Sequence, residues 1–403
     1  MPLFTRPYKL RSMLLLATTS TALLLGCSAS KQEDNLAYIA SPALPSYTQP
    51  SFDEYTKETR QWLEKNRVFV TNNSEKELRN ILPTEYRPLI GNGKGILLVH
   101  GLSDSPYFFH SIARHLSQQG YLVRTILLPG HGSKAADLML PSLEDWQGVV
   151  QHHSQLLQQD VDGEVWLGGF STGANLVTSE AISDPKIKGL LLFSPAFEPQ
   201  SSAAKYASIA KYAVDWAEKS PEDNPTRYNS LAMNGVAVYY ATAEKVQQDL
   251  NDNGFSRPVF AVSAETDNTV KAQTAAFYFT NAMTNKYNSL IWQGETPPQG
   301  QHVIQQTMHL PDEHISNGSH VAVLISPDDP ILGKEGSIIY CRNGQGEDET
   351  KADNAEQDCL NDSQRWYGHY GYSEENKNYA RLSYNPHYEE MLTHLDNFLN
   401  EAQ

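Results

Sequence analysis

Three cysteines in 403 residues are too few for a structural metal site, and no run of lysine and arginine offsets the acidic balance of the chain. The formal charge of −16 argues against nucleic acid as a partner, because phosphate contacts need a basic face. No fixed-period repeat is visible, which speaks against a repeat architecture. What is present is an ordinary globular composition, 40% hydrophobic and 10% aromatic, able to bury the core of one large domain or two small ones. The acidic surface then reads as a solubility device.

The N-terminus is the first informative segment. Arg6, Lys9 and Arg11 precede a short apolar stretch, 13–25, that runs into Leu24-Leu25-Gly26-Cys27. A stretch so short is marginal for crossing about 30 Å of hydrocarbon, so a secretory signal over 1–26 is favoured over a transmembrane anchor. Leu-Leu-Gly-Cys at its end resembles the lipobox of bacterial lipoproteins. That resemblance implies cleavage before Cys27, acylation of Cys27 and a lipid-anchored place in the bacterial cell envelope. Ser28, where an Asp would retain the protein at the inner membrane, points to the outer membrane of a Gram-negative source. Residues 27–50 are expected to be a flexible tether. Cys341 and Cys359 remain, and two thiols in an exported protein are expected to form a disulfide. They bracket a polar stretch, so residues 330–379 read as a peripheral, cysteine-clasped insertion.

From residue 51 to 403 the chain reads as one domain. Residues 52–66 have the spacing of a lead-in helix. Apolar runs at 95–99, 122–128, 165–167, 189–193 and 258–263 read as strands, alternating with helical patterns at 106–119, 143–159, 172–183 and 270–283. Such alternation predicts an α/β fold, a mainly parallel central sheet with helices on both faces. The gap at 196–255 is expected to be a helical cap inserted after the sixth strand. Residues 385–403 read as a closing helix, with Tyr388, Leu392, Leu395 and Leu399 on one stripe.

Gly169-Phe170-Ser171-Thr172-Gly173 follows a strand and opens a helix, where a nucleophile elbow must lie. A serine needs a base to remove its proton, and the base needs an orienting acid. Asp267 follows the strand 258–263 and precedes Val270, which favours it over Glu265. Seven histidines follow Asp267. His320, in the small-residue loop Ser316-Asn317-Gly318-Ser319, is the preferred base, with His314 as its rival. An oxyanion hole needs two backbone amides, assigned to Thr172 and to Leu102 in His100-Gly101-Leu102-Ser103. His100 and His131 read as structural. The glycines at 91, 93 and 95 precede a strand and cannot cradle a phosphate, and His152-His153 lacks a zinc-binding partner.

Leu98-Val99-His100-Gly101-Leu102, Leu128-Pro129-Gly130-His131-Gly132, the Ser171 pentapeptide and Asp267 with Val270 together resemble the α/β-hydrolase superfamily, in its monoacylglycerol lipase-like and serine aminopeptidase-like branch. The resemblance spans about residues 95–270. It implies a serine hydrolase that cleaves acyl esters, such as monoacylglycerols or lysophospholipids, without cofactor or metal. An aminopeptidase with Glu222 or Asp223 capturing a substrate amine, and a non-catalytic surface lipoprotein, are the alternatives.

Overall fold

A computed structural model describes residues 35–344 and 349–402. The segment 1–26, expected to be a signal, and Cys27, expected to be acylated, lie outside the described residues. No helix among the described residues is long and apolar enough to cross a membrane.

Eight strands form the central sheet: β1 (Thr84–Tyr86), β2 (Gly95–Val99), β3 (Leu122–Ile126), β4 (Val165–Phe170), β5 (Ile187–Phe193), β6 (Val259–Ala264), β7 (Ser289–Gln293) and β8 (Val303–Gln306). Their spatial order is β1-β3-β2-β4-β5-β6-β7-β8, and every pairing except β1 with β3 is parallel. Continuous apolar runs suit strands covered on both faces. In β2, Ile96 and Leu98 enter one core while Leu97 and Val99 enter the other.

The first core is covered by α1 (Phe52–Asn66), α3 (Leu143–Asp160), α4 (Thr172–Ser183), α5 (Met233–Asn253) and α6 (Ala272–Asn281). The second lies under α2 (His110–Gln118), α7 (Tyr388–Glu401) and the buried segment 321–325. Helix α3 begins in a capping box of Ser142 and Asp145, which satisfies two amides of its first turn. Helix α7 buries Tyr388, Met391, Leu392, Leu395, Phe398 and Leu399, the stripe its spacing predicts.

Three expectations are corrected. Residues 35–50 are no tether: Ser41 is buried, and its amide and hydroxyl both donate to the Asp137 carboxylate, at 2.6 and 3.0 Å. The cap is smaller than 196–255 and follows the fifth strand of the sheet in chain order, because the antiparallel edge contributes one three-residue strand. Val238, Val246 and Leu250 of α5 lie in the first core, so that helix belongs to the sheet's covering layer. Within that expected helical cap, residues 202–218 form a 3₁₀ turn, one helical turn (Ala207–Ala210) and a short strand (Trp216–Glu218). Finally, the insertion is not peripheral. Its Cys341 and Cys359 are joined as a disulfide and packed with Ala380, and its Tyr370 carbonyl accepts a hydrogen bond from Asn268, beside Asp267.

Candidate active site

The turn between β4 and α4 is tight enough to dictate its own residues. A Cβ at Gly169 would collide with the Ala174 amide, and one at Gly173 with the carbonyls of Val99 and His100. Between them Ser171 adopts φ 55° and ψ −119°, a conformation costly for a side-chain-bearing residue. Its amide donates to Phe193 O at 2.9 Å, and its carbonyl accepts from Ala174 and Ala196. The bend is held from both sides, and the hydroxyl stands at the carboxyl edge of the sheet.

His320 Nε2 lies 2.9 Å from Ser171 Oγ, and His320 Nδ1 lies 2.6 Å from Asp267 Oδ2. The remaining carboxylate oxygen of Asp267 accepts the amides of Thr269 and Val270 at 2.8 and 3.0 Å. This is the physical content of the Asp-to-Val spacing: one oxygen caps the following turn while the other is free to orient an imidazole. A carboxylate accepting at Nδ1 places the proton there and leaves Nε2 as the acceptor for the serine hydroxyl. Ser171, His320 and Asp267 are 7%, 8% and 5% exposed, so the group is nearly covered. Phe170 packs on the imidazole at 5.1 Å, and Ser194 Oγ donates to His320 O at 3.0 Å.

The rival residues lie elsewhere. His314 stacks on Trp366 at 5.1 Å, and the Glu265 carboxylate accepts the amides of Glu295 and Thr296 beyond β7. Glu222 accepts the amides of Asn229 and Ser230, and Asp223 accepts from Asn229 Nδ2.

Among the described residues, neither the Leu102 nor the Thr172 amide donates to another group. Thr172 opens α4, where amides lack intrahelical acceptors and favour negative charge. Leu102 belongs to a loop braced by two buried histidines. His100 Nδ1 donates to Gly101 O at 2.8 Å and its Nε2 accepts from Leu128 N at 3.0 Å, while His131 Nε2 accepts from Ser103 N at 3.1 Å. Burial disfavours the charged imidazole, so His100 falls well below the usual range and His131 to about 4. Neutral rings can accept these amides.

Sequence reasoning missed three charged residues here: Asp104, Arg227 and Arg381. Asp104 follows the Leu102 loop by two positions, which was its only local signal. The arginines come from the cap and from just beyond the end of the insertion, and nothing in their neighbourhoods pointed to this edge.

An open parallel sheet with helices on both faces, and a serine on a strained strand-to-helix turn at its carboxyl edge, define a fold class in which this rim carries the site. The serine aminopeptidase S33 family matches residues 93–249. The chain is 23% identical over 212 residues to a carboxylesterase of Bacillus subtilis, covering 51% of this chain and 85% of that protein. It is 29% identical over 110 residues to a thermostable monoacylglycerol lipase of Bacillus sp. strain H-257, covering 27% of this chain and 44% of that protein. Among solved structures, one reported for the metagenome-derived lipolytic enzymes LipS and LipT is 19% identical with a TM-score of 0.47, covering 53% of this chain and 86% of the other. The fold is that of the α/β-hydrolases, and the likeness to these relatives marks the chain as a serine ester hydrolase of the esterase and lipase type.

Proposed function

We propose that the protein hydrolyses acyl esters through Ser171, His320 and Asp267. The observation that carries this reading is the continuous pair of hydrogen bonds from Ser171 through His320 to Asp267. Ser171 Oγ attacks the acyl carbonyl as His320 Nε2 takes its proton, and Asp267 holds the imidazole and offsets its charge. The carbonyl oxygen, now negative, is held by the amides of Leu102 and Thr172. His320 then protonates the leaving alcohol. Water, deprotonated by the same imidazole, releases the acid and restores the serine.

The substrate class is a lipid-like ester, a monoacylglycerol or a lysophospholipid. Support comes from the cap, whose Tyr206, Ile209, Tyr212 and Val214 are exposed apolar side chains. A lipid on Cys27 would hold the enzyme beside such substrates in the bacterial envelope. Incorporation of a palmitate analogue that is lost in Cys27→Ser tests the anchor. The aminopeptidase alternative is disfavoured because Glu222 and Asp223 spend their carboxylates inside the cap.

The test is labelling with a fluorophosphonate beside turnover of nitrophenyl esters and aminoacyl anilides. The wild type is expected to label and to cleave the esters. Ser171→Ala and His320→Ala are expected to do neither. Labelling that survives His320→Ala removes that histidine as the base, and preferential cleavage of anilides makes the protein an aminopeptidase. A wild type that neither labels nor turns over makes it a binding module.

A further inference from the structure

Asp104, Arg227 and Arg381 come from three separate segments: Asp104 lies beside Ser171, Arg227 pairs with it, and Arg381 is close enough to feel the charge of both. A Cβ added at Gly101 would lie 2.7 Å from Asp104 Oδ2 and 3.0 Å from Ser171 Cβ, so carboxylate and serine flank the same glycine. Asp104 is 4% exposed. Its nearest cation is Arg227, with Nε 3.6 Å from Oδ1, while Arg227 Nη2 donates to Ser103 Oγ at 2.9 Å.

Arg381 ends the strand Tyr379–Arg381. Its guanidinium carbon lies 4.5 Å from the centre of the Tyr340 ring and 5.6 Å from that of Tyr370. The aromatic faces take up part of its charge. No hydrogen-bond partner of this guanidinium occurs among the described residues, and its Nε is buried without one. Burial, and then the repulsion of Arg227, lower its proton affinity. A cation in this situation gains from an arriving anion, because its desolvation is only partly compensated by the two rings and Asp104.

The cluster is built into the site's frame from both flanks. Leu382, next to Arg381, accepts through its carbonyl from Ser319 Oγ, next to His320. Tyr370 O accepts from Asn268, next to Asp267. On the cap side, Tyr228 N donates to Ser103 O at 2.8 Å, and Asn224 Nδ2 reaches Tyr340 OH at 3.3 Å. The cap therefore brings one arginine to this cluster, and the strand that follows the insertion brings the other. Of the two carboxylates near them, Asp104 is engaged by Arg227, and Glu222 accepts two cap amides.

We propose that Arg381, backed by Arg227, receives an anionic group of the substrate, a carboxylate or a phosphate, so that Ser171 favours acyl esters carrying negative charge. Guanidinium geometry suits either group, because its planar fork matches paired oxygens. The proposal rests on the ester-hydrolase reading and names the substrate class within it. It assigns the insertion a purpose, since it supplies both rings, Tyr340 and Tyr370, that hold Arg381 just beyond its end.

The experiment measures kcat/KM of the full chain on two matched pairs. 4-Nitrophenyl butyrate against mono-4-nitrophenyl succinate places the charge on the acyl side. A 1-acylglycerol against the corresponding 1-acylglycerol phosphate places it on the alcohol side. The wild type is expected to favour the charged member of one pair, and that pair identifies the carboxylate or the phosphate. Arg381→Gln is expected to lower the charged-to-neutral ratio by about tenfold to a hundredfold, chiefly through KM. Arg381→Lys, keeping charge without the fork, should retain part of the ratio. A ratio that Arg381→Gln leaves unchanged in both pairs overturns the proposal and makes the arginine a structural brace between two tyrosines. Calorimetric binding of 1-acylglycerol phosphate and of monobutyl succinate to Ser171→Ala, with and without Arg381→Gln, gives a reading independent of turnover. Binding of one of them that weakens with Arg381→Gln supports the anion site even if the ester-hydrolase reading fails; equal binding, or none, sinks the site.

Discussion

Residues 93–249 and residues 294–385 meet at Ser171, and they are built on different principles. The first stretch supplies the serine and both amides proposed for the oxyanion hole from the ends of adjacent buried strands, with a backbone so close that Gly169 and Gly173 admit no side chain. The second supplies His320 from a segment without regular structure, located by contacts distant in sequence: Ser194 Oγ to His320 O, and Ser319 Oγ to Leu382 O. Crowding between neighbours leaves a mark in local sequence. Tethering across 126 and 63 residues does not.

The largest effects should come from cutting the junction itself. Ser171→Ala or His320→Ala is expected to lower kcat by about 10⁴- to 10⁶-fold with the fold intact, measured on a nitrophenyl ester beside the thermal melting curve. If the base from the second stretch were dispensable, His320→Ala would retain more than a hundredth of wild-type turnover, and the comparison would break. Next, Gly173→Ala drives a methyl group into the Val99 and His100 carbonyls. Its expected cost is about 3 kcal/mol or more, read from urea unfolding, because the strand end cannot retreat without disturbing the sheet.

The same contrast explains what could be read in advance. The buried runs of β2 to β6, the elbow and the Asp267 turn announce themselves because their constraints are local: alternation between two cores, absence of Cβ, an oxygen accepting two nearby amides. The choice between His320 and His314 stayed open because imidazole direction depends on remote hydrogen bonds. Residues 35–50 resembled a tether because their polar composition conceals that Ser41 is anchored by a buried carboxylate at position 137. Strands β7 and β8 went unread. Their Ser289, Gln293, Gln305 and Gln306 dilute the apolar pattern near the sheet's edge, although Gln293 and Gln306 are buried and bonded to each other. Arg381 had no motif at all, and only packing against Tyr340 and Tyr370 gives it meaning.

The insertion offers a milder way to sharpen the comparison. Its disulfide closes a loop with a sequence separation of 18 residues. Replacing both cysteines by serine is expected to destabilise the chain by about 3 kcal/mol, mostly by freeing the unfolded segment. The check is denaturant unfolding with and without the bond. An unchanged midpoint would mean that the helix Glu349–Asn361 and the pairing of Trp366–Gly368 with Tyr379–Arg381 hold the insertion without it.

Acid should act on the other side of the divide. His131 and His153 lie in the first stretch, and burial lowers them to about 4 and about 3. Above about pH 6.5 both are neutral whether the chain is folded or not, so they impose no pH dependence there. As the pH falls from 6.5 towards 4, the unfolded chain binds protons that the folded one refuses, and stability declines. Each histidine contributes a loss of up to about 3 kcal/mol by pH 4. His153 packs against Phe52 and Tyr55 at 5.8 and 4.1 Å, where another aromatic ring can sit. His153→Phe should therefore cut the decline between pH 7 and pH 4 by about 3 kcal/mol while changing stability little at pH 7. Chemical denaturation at the two pH values measures both quantities. Equal declines in variant and wild type would show that His153 takes up its proton without leaving the fold, and that α1 opens against α3 more easily than its burial implies.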